Sequence, residues 1–167
     1  PTGLLQIGGV VFTAGSLTTW VVGGRPATAS SGNDTAPVAG SVYFGELFMP
    51  CSYTLTGVGY LIGSVGGTDK AIVALYNASG TVLATSDLAG TTVGTAATMQ
   101  EVPFTAPYAA LGPALYYVSV SFNGTTCRFR AGTGLGSRAG SAAGVFGTLA
   151  AIAPPTATAN YPYGYVY

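Results

Sequence analysis

Histidine is absent from this chain, and its 167 residues include only five Lys or Arg and five Asp or Glu. Without imidazole, the most frequent general base of enzymes and the commonest metal ligand are both missing. A soluble domain normally has about a quarter of its residues charged, so this exterior is made of Thr, Ser, Gly, Ala and Tyr. The acids Asp34, Glu46, Asp69, Asp87 and Glu101 stand singly. Acid–base work on glycosides needs two carboxyls about 5–10 Å apart, and a calcium loop needs several acids close in sequence. The chain is therefore expected to hold no catalytic residue, no metal and no cofactor. Asn33-Asp34 and Asp69 are expected to shape turns through their side chains.

The cations Arg25, Lys70, Arg128, Arg130 and Arg138 balance the acids to zero net charge. Such a balance leaves no basic footprint for phosphates, so nucleic acid is not an expected partner. Arg128 and Arg130 flank Phe129, which puts both on one face of a strand, solvated or ion-paired. Long hydrophobic runs are also missing. Mean hydropathy is +0.49, yet no stretch approaches the roughly 20 apolar residues that span a bilayer, so no membrane partner is expected. The hydropathy belongs to a sheet core or to interfaces.

Cys51 and Cys127 are the only cysteines and form no CxxC-type pair, which leaves no zinc motif. They are expected reduced and buried as small apolar groups, a single disulfide being the alternative. The opening Pro1-Thr2-Gly3-Leu4 shows no basic region followed by an apolar one. Cytoplasmic synthesis is the expectation this raises.

What the chain does contain is β signal, with Val, Thr, Tyr, Phe and Ile in short runs bounded by Gly, Pro, Asn and Ser. Strands are predicted over 4–13, 17–22, 41–49, 53–63, 70–77, 80–86, 98–105, 114–122, 125–131 and 145–150. Their spacing predicts an all-β fold: an antiparallel, jelly-roll-like β-sandwich with extended N- and C-terminal arms. One domain is expected, with strands, an arm and a polar loop over 1–40. The sandwich core would occupy 41–131, followed by a Gly-rich loop and a Tyr/Pro-rich arm over 132–167. Hairpins are predicted to turn at Asn77–Gly80 and at Asn123-Gly124. Pro103 and Pro107 confine the strand to an edge or themselves to its ends, and 109–113 reads as a turn whose Leu111 tucks under the sandwich. Asn33-Asp34-Thr35, Asn77-Ala78-Ser79 and Asn123-Gly124-Thr125 match the glycosylation acceptor pattern but are read as turn chemistry.

Tyrosine is the strongest positive signal, with eleven copies. Tyr43, Tyr53, Tyr60 and Tyr76 suit sheet packing. Tyr161, Tyr163, Tyr165 and Tyr167 occupy every second position of the last segment, so in an extended chain they project to one side. They are the candidate interface residues, expected to fill pockets on a neighbour.

The runs Val73-Ala74-Leu75-Tyr76-Asn77-Ala78-Ser79-Gly80-Thr81-Val82-Leu83-Ala84, Pro103-Phe104 and Leu115-Tyr116-Tyr117-Val118-Ser119-Val120 lie within 41–131. That stretch resembles the jelly-roll β-sandwiches of tailed-bacteriophage virion proteins, such as head-decoration, head-fibre and tail-tip domains. The resemblance implies a non-enzymatic structural protein located in the virion. It implies homo-oligomeric assembly, with a trimer as the expected count, and other virion proteins as partners. Secreted carbohydrate-binding sandwiches share the pattern, so a sugar- or cell-surface-binding module, with a host-surface glycan as ligand, is the alternative.

Overall fold

The computed structural model describes residues 5–7, 10–12, 20–22, 32–132, 138–154 and 161–167. Every regular element among them is a strand. In chain order these are β1 (Leu5–Ile7), β2 (Val10–Phe12), β3 (Trp20–Val22), β4 (Asn33–Thr35), β5 (Val42–Met49), β6 (Tyr53–Leu61), β7 (Lys70–Asn77) and β8 (Val82–Thr85). The chain continues through β9 (Thr91–Thr92), β10 (Met99–Ala110), β11 (Ala114–Phe122), β12 (Phe129–Gly132), β13 (Ala139–Ala142), β14 (Tyr161–Pro162) and β15 (Gly164–Val166).

One layer of the sandwich is a six-stranded sheet in the order β13-β5-β11-β7-β8, with β9 also pairing β7. The other is a four-stranded sheet, β10-β6-β15-β3. A small sheet, β14-β12-β4, and the β1–β2 hairpin complete the described pairings. All ladders are antiparallel except β15 with β3. The fold is the predicted all-β sandwich.

The unbroken apolar stretches of β7 and β11 fit a sheet buried on both faces at its centre. Along β7, Ala71, Val73 and Leu75 point between the layers, where they meet Leu47, Met49, Tyr60, Val118, Val120 and Phe122. Ala74 and Tyr76 point the opposite way, into a second cluster with Val42, Phe44, Tyr117 and Ile152. Ile152 and Leu149 supply the cover there. The stretch 145–150, predicted as a strand, instead makes only a Val145–Thr148 bridge. Of its apolar residues Leu149 packs against the sheet's outer face, while Val145 is exposed.

The β7–β8 hairpin forms as predicted. Asn77 Oδ1 accepts from the N–H groups of Ser79 and Thr81, and Gly80 takes the positive φ of 84° that closes the turn. The hairpin predicted at Asn123-Gly124 does not form. Both edges of β11 are already occupied, by β5 and β7, so the following segment has no free edge there. Asn123 Oδ1 accepts from Lys70 N–H, and Asp69 Oδ2 accepts from the N–H groups of Thr126 and Cys127. These bonds turn the chain across to the small sheet, where β12 pairs β4 and β14.

Other boundaries shift for similar reasons. The strand predicted over 98–105 extends to Ala110 through a register break between Pro103 and Tyr108, so the turn predicted over 109–113 is confined to 111–113. The strand lies at the sheet edge, as its prolines require. Leu111, expected to tuck under, is 70% exposed, because its N–H and C=O are both held by the Tyr116 hydroxyl at the rim. The run 4–13 is split into the β1–β2 hairpin. The polar stretch 23–40 contains β4, and the Gly-rich stretch 131–144 contains β13. Strands β4, β13 and β15 bring residues from outside 41–131 into the sheets.

Candidate interaction surface

The last segment is extended, as its prolines and alternating tyrosines predict, but 161–167 is built into sheets of its own chain. β14 pairs β12, and β15 lies between β6 and β3. Tyr165 is 3% exposed, whereas Tyr163 and Tyr167 are half-buried. For Tyr161 the described structure is its pairing with Gly132. The tyrosines were expected to fill pockets on a neighbour; in this structure the segment instead packs on its own chain.

The seat of this segment is a trough on β6. Val58 and Tyr60 face the core, which turns Gly57 and Gly59 to the outer face. Tyr165 is the register partner of Gly59, and Glu101 on β10 pairs Gly59 from the other side. The Tyr165 ring crosses the bare glycine and its hydroxyl donates to Glu101 Oε1. Tyr167 lies over Gly57, its ring centroid 6.1 Å from that of Tyr165. A Cβ at either glycine would collide with the ring above it. The Tyr167 main-chain oxygen accepts from Thr56 N–H at 2.6 Å and from the Thr56 hydroxyl at 3.0 Å, and Tyr167 N–H donates to Gly57 O. Burial, then the Glu101 carboxylate and Tyr165, push the Tyr167 phenol above its ordinary pKa. Gly57, Gly59, Thr56 and Glu101 were not singled out from sequence. A Gly-x-Gly inside a strand, to be matched with a Tyr-x-Tyr elsewhere, is the signal that could have found the two glycines.

Replacing Gly59 by valine is expected to lift the Tyr165 ring off β6 and break its bond to Glu101. The cost is about 1–3 kcal/mol, the usual range for overpacking. Urea unfolding measures it, and a variant as stable as the parent would show that the ring is not seated over Gly59.

All five carboxylates in the chain accept hydrogen bonds from the chain itself. Besides Asp69 and Glu101, Asp34 accepts from Ser64 N–H and Oγ–H, Glu46 from Arg138 N–H, and Asp87 from Ala89 N–H. Arg130 Nε lies 3.7 Å from Asp34 Oδ1, so this face of β12 is ion-paired. Burial draws the Asp34 carboxyl upward, but the Ser64 bonds and the guanidiniums of Arg130 and Arg128 outweigh it and hold the pKa below the usual value. Asp87 shapes a local turn, whereas Asp34 and Asp69, expected to shape turns where they stand, bond segments distant in sequence and fix crossings between them. No group of three or more His, Cys, Asp or Glu side chains placed to hold a metal occurs among the described residues.

Both cysteines are free, but Cys51 is exposed rather than buried. It follows Pro50 at the β5–β6 turn, on the rim rather than in a strand. Cys127 is fully buried, and burial, reinforced by the Asp69 carboxylate, pushes its thiol up to about 12. At pH 8 one thiol, Cys51, is expected to react in the folded protein and two after unfolding without reductant. An Ellman titration that finds two reactive thiols in the folded state would contradict this burial.

At the same rim a shallow groove is lined by Ser52, Tyr53, Thr54, Ala109, Ala110 and Leu111. Tyr43, Tyr60 and Tyr76 are buried in the sheets as expected, but Tyr53 is 48% exposed beside this groove. Comparison with known protein families, with curated proteins and with solved structures yielded no match.

Proposed function

We propose that this chain is a non-enzymatic structural component of a virus particle: a capsid-decoration, head-fibre or tail-associated subunit, made in the host cytoplasm and assembling as a homo-oligomer, with a trimer as the expected count. The observation that carries the structural role is the use of every carboxylate to hold the chain's own backbone or side chains. Chemistry on a substrate needs side chains whose polar atoms are directed at the substrate. Here the polar atoms are spent on fixing crossings and strand register.

Assembly is supported by a surface with very little charge. Charge normally keeps domains apart in solution, and this sandwich instead presents Leu111, Val145, Val38, Tyr53 and Phe48 at 42–72% exposure. The likeness of 41–131 to phage virion sandwiches supports the particle as the setting. The test is mass spectrometry of density-purified particles from cells carrying this gene. Peptides of this chain at a fixed ratio to a capsid or tail protein are expected, with light scattering giving the mass of three chains for the free protein. Recovery in the soluble fraction alone would overturn the proposal.

One observation favours a second reading. Tyr53 stands half-exposed between Ser52 and Thr54 in the rim groove, an aromatic face with hydroxyls beside it, which suits a host-surface glycan. A glycan array distinguishes the two: binding that is lost in Tyr53→Ala supports a surface-binding module.

A further inference from the structure

Asn123-Gly124 is a turn dipeptide that the fold does not use as a hairpin; the chain passes through it from β11 across to β12. Asn123 is exposed and Gly124 partly so, and the main chain of Lys70 clamps the asparagine twice. Asn123 N–H donates to Lys70 O at 3.1 Å, and Lys70 N–H donates to Asn123 Oδ1 at 2.7 Å. The second bond draws electrons toward Oδ1 and leaves Cγ electron-poor, as an oxyanion-hole donor does. Among the described residues, neither Asn123 Nδ2 nor Gly124 N–H donates to a partner. On the other side, the Asp69 carboxylate lies so close to Gly124 that a Cβ there would collide with Oδ1. Asp69 cannot swing away freely, because Oδ2 is held by the N–H groups of Thr126 and Cys127. Glycine is therefore required at 124, and a glycine after asparagine leaves its main-chain nitrogen sterically open.

We infer that Asn123-Gly124 is a self-modification site, at which the Gly124 nitrogen closes on Asn123 Cγ and the asparagine becomes an acid. In the first step the bond from Gly124 N to Asn123 Cγ forms and the Cγ–Nδ2 bond breaks. The Asp69 carboxylate takes the Gly124 proton as general base and gives it up to Nδ2, which leaves as ammonia. Water then opens the cyclic imide at one carbonyl or the other, giving aspartate or isoaspartate at 123 with no change of oxidation state. Lys70 N–H stabilises the oxygen that gains charge during closure, and the chain itself keeps the two reacting atoms adjacent. Aspartate at 123 keeps an oxygen for Lys70 N–H and adds a negative charge near Asp69. Isoaspartate adds a carbon to the main chain and so disrupts the two-bond clamp on Lys70.

The experiment holds the full chain at mildly alkaline pH and locates the acid by peptide mapping with mass spectrometry. A synthetic peptide of residues 119–128 in the same buffer is the unfolded reference. Asn123 is expected to convert about tenfold faster in the folded chain than in the peptide, which lacks both Lys70 N–H and the Asp69 carboxylate. Ammonia should appear in step with the acid. Conversion at the peptide's rate or slower would overturn the inference, because the dipeptide alone would then account for it. Asn77 is the internal control: its Oδ1 also accepts main-chain N–H bonds, but Ala78 follows it. Asn77 is expected to stay intact, and equal conversion there would likewise overturn the site. Asp69→Asn keeps an acceptor for Thr126 and Cys127 and removes the base. In that variant, once circular dichroism shows the parent fold, conversion is expected to slow about tenfold. An unchanged rate would overturn the role of Asp69.

Discussion

Phe129→Ala is expected to cost about 3–5 kcal/mol, the range for deleting a buried aromatic side chain. Phe129 is fully buried and sits in a ring cluster drawn from four strands. It stacks on Phe122 of β11 at 5.5 Å and 12°, and its centroid lies 4.9 Å from that of Tyr43 on β5. Tyr60 of β6 closes the cluster edge-on to Phe122 at 5.8 Å. Alanine would remove the member that ties the small sheet to both layers, and each aromatic pair adds about 0.5–1.5 kcal/mol beyond its area. Against a typical total of about 5–15 kcal/mol, the loss brings the domain near its unfolding threshold. Urea denaturation is the measurement, with Phe129→Leu expected to lose less because it keeps most of the volume. A loss below about 1 kcal/mol would mean that the rings do not pack as a unit.

Asp69→Ala is expected to cost about 2–4 kcal/mol. The side chain is 9% exposed and accepts two backbone N–H bonds of 2.7 Å, from Thr126 and Cys127. Alanine leaves both donors without that acceptor at the point where the chain crosses between sheets, and each buried unsatisfied group costs about 1–3 kcal/mol. Asp69→Asn keeps an acceptor oxygen and should recover part of the loss. The same carboxylate contributes to the raised pKa of Cys127, second to burial. Removing a negative charge favours the thiolate, so Cys127 in Asp69→Ala should react at lower pH than in the parent. Alkylation rate against pH checks the sign, and an unchanged profile would place the whole shift on burial.

The parts of the fold legible in the sequence were those set by neighbours along the chain. β7 and β11 were read to the residue, because their apolar runs end at turn formers. The Asn77–Gly80 reversal was legible because one Asn side chain and one positive φ decide it locally. The Asn123-Gly124 dipeptide carried an equally strong local signal and was read wrongly. Whether a turn becomes a hairpin depends on a free edge, and β5 and β7 had taken both edges of β11. For the interface, the tyrosines were found by their period of two. Their acceptor was not, because Gly57 and Gly59 are far from them in sequence and a glycine advertises nothing by itself.

Composition and period by themselves determined that this protein is all β and that its core is aliphatic and aromatic. Those properties follow from side-chain chemistry and the alternation of a strand, which any pairing of the strands preserves. Beyond the β7–β8 hairpin, tertiary structure decided which strands are neighbours. It placed β15 inside a sheet rather than on its surface, set Leu149 and Ile152 against the outer face of the six-stranded sheet, and left Cys51, Tyr53 and Leu111 at the rim. The physical reason is that strand pairing is a competition among edges: each backbone N–H and C=O accepts whichever strand satisfies it while burying the most apolar surface, and that choice depends on the whole set of strands at once.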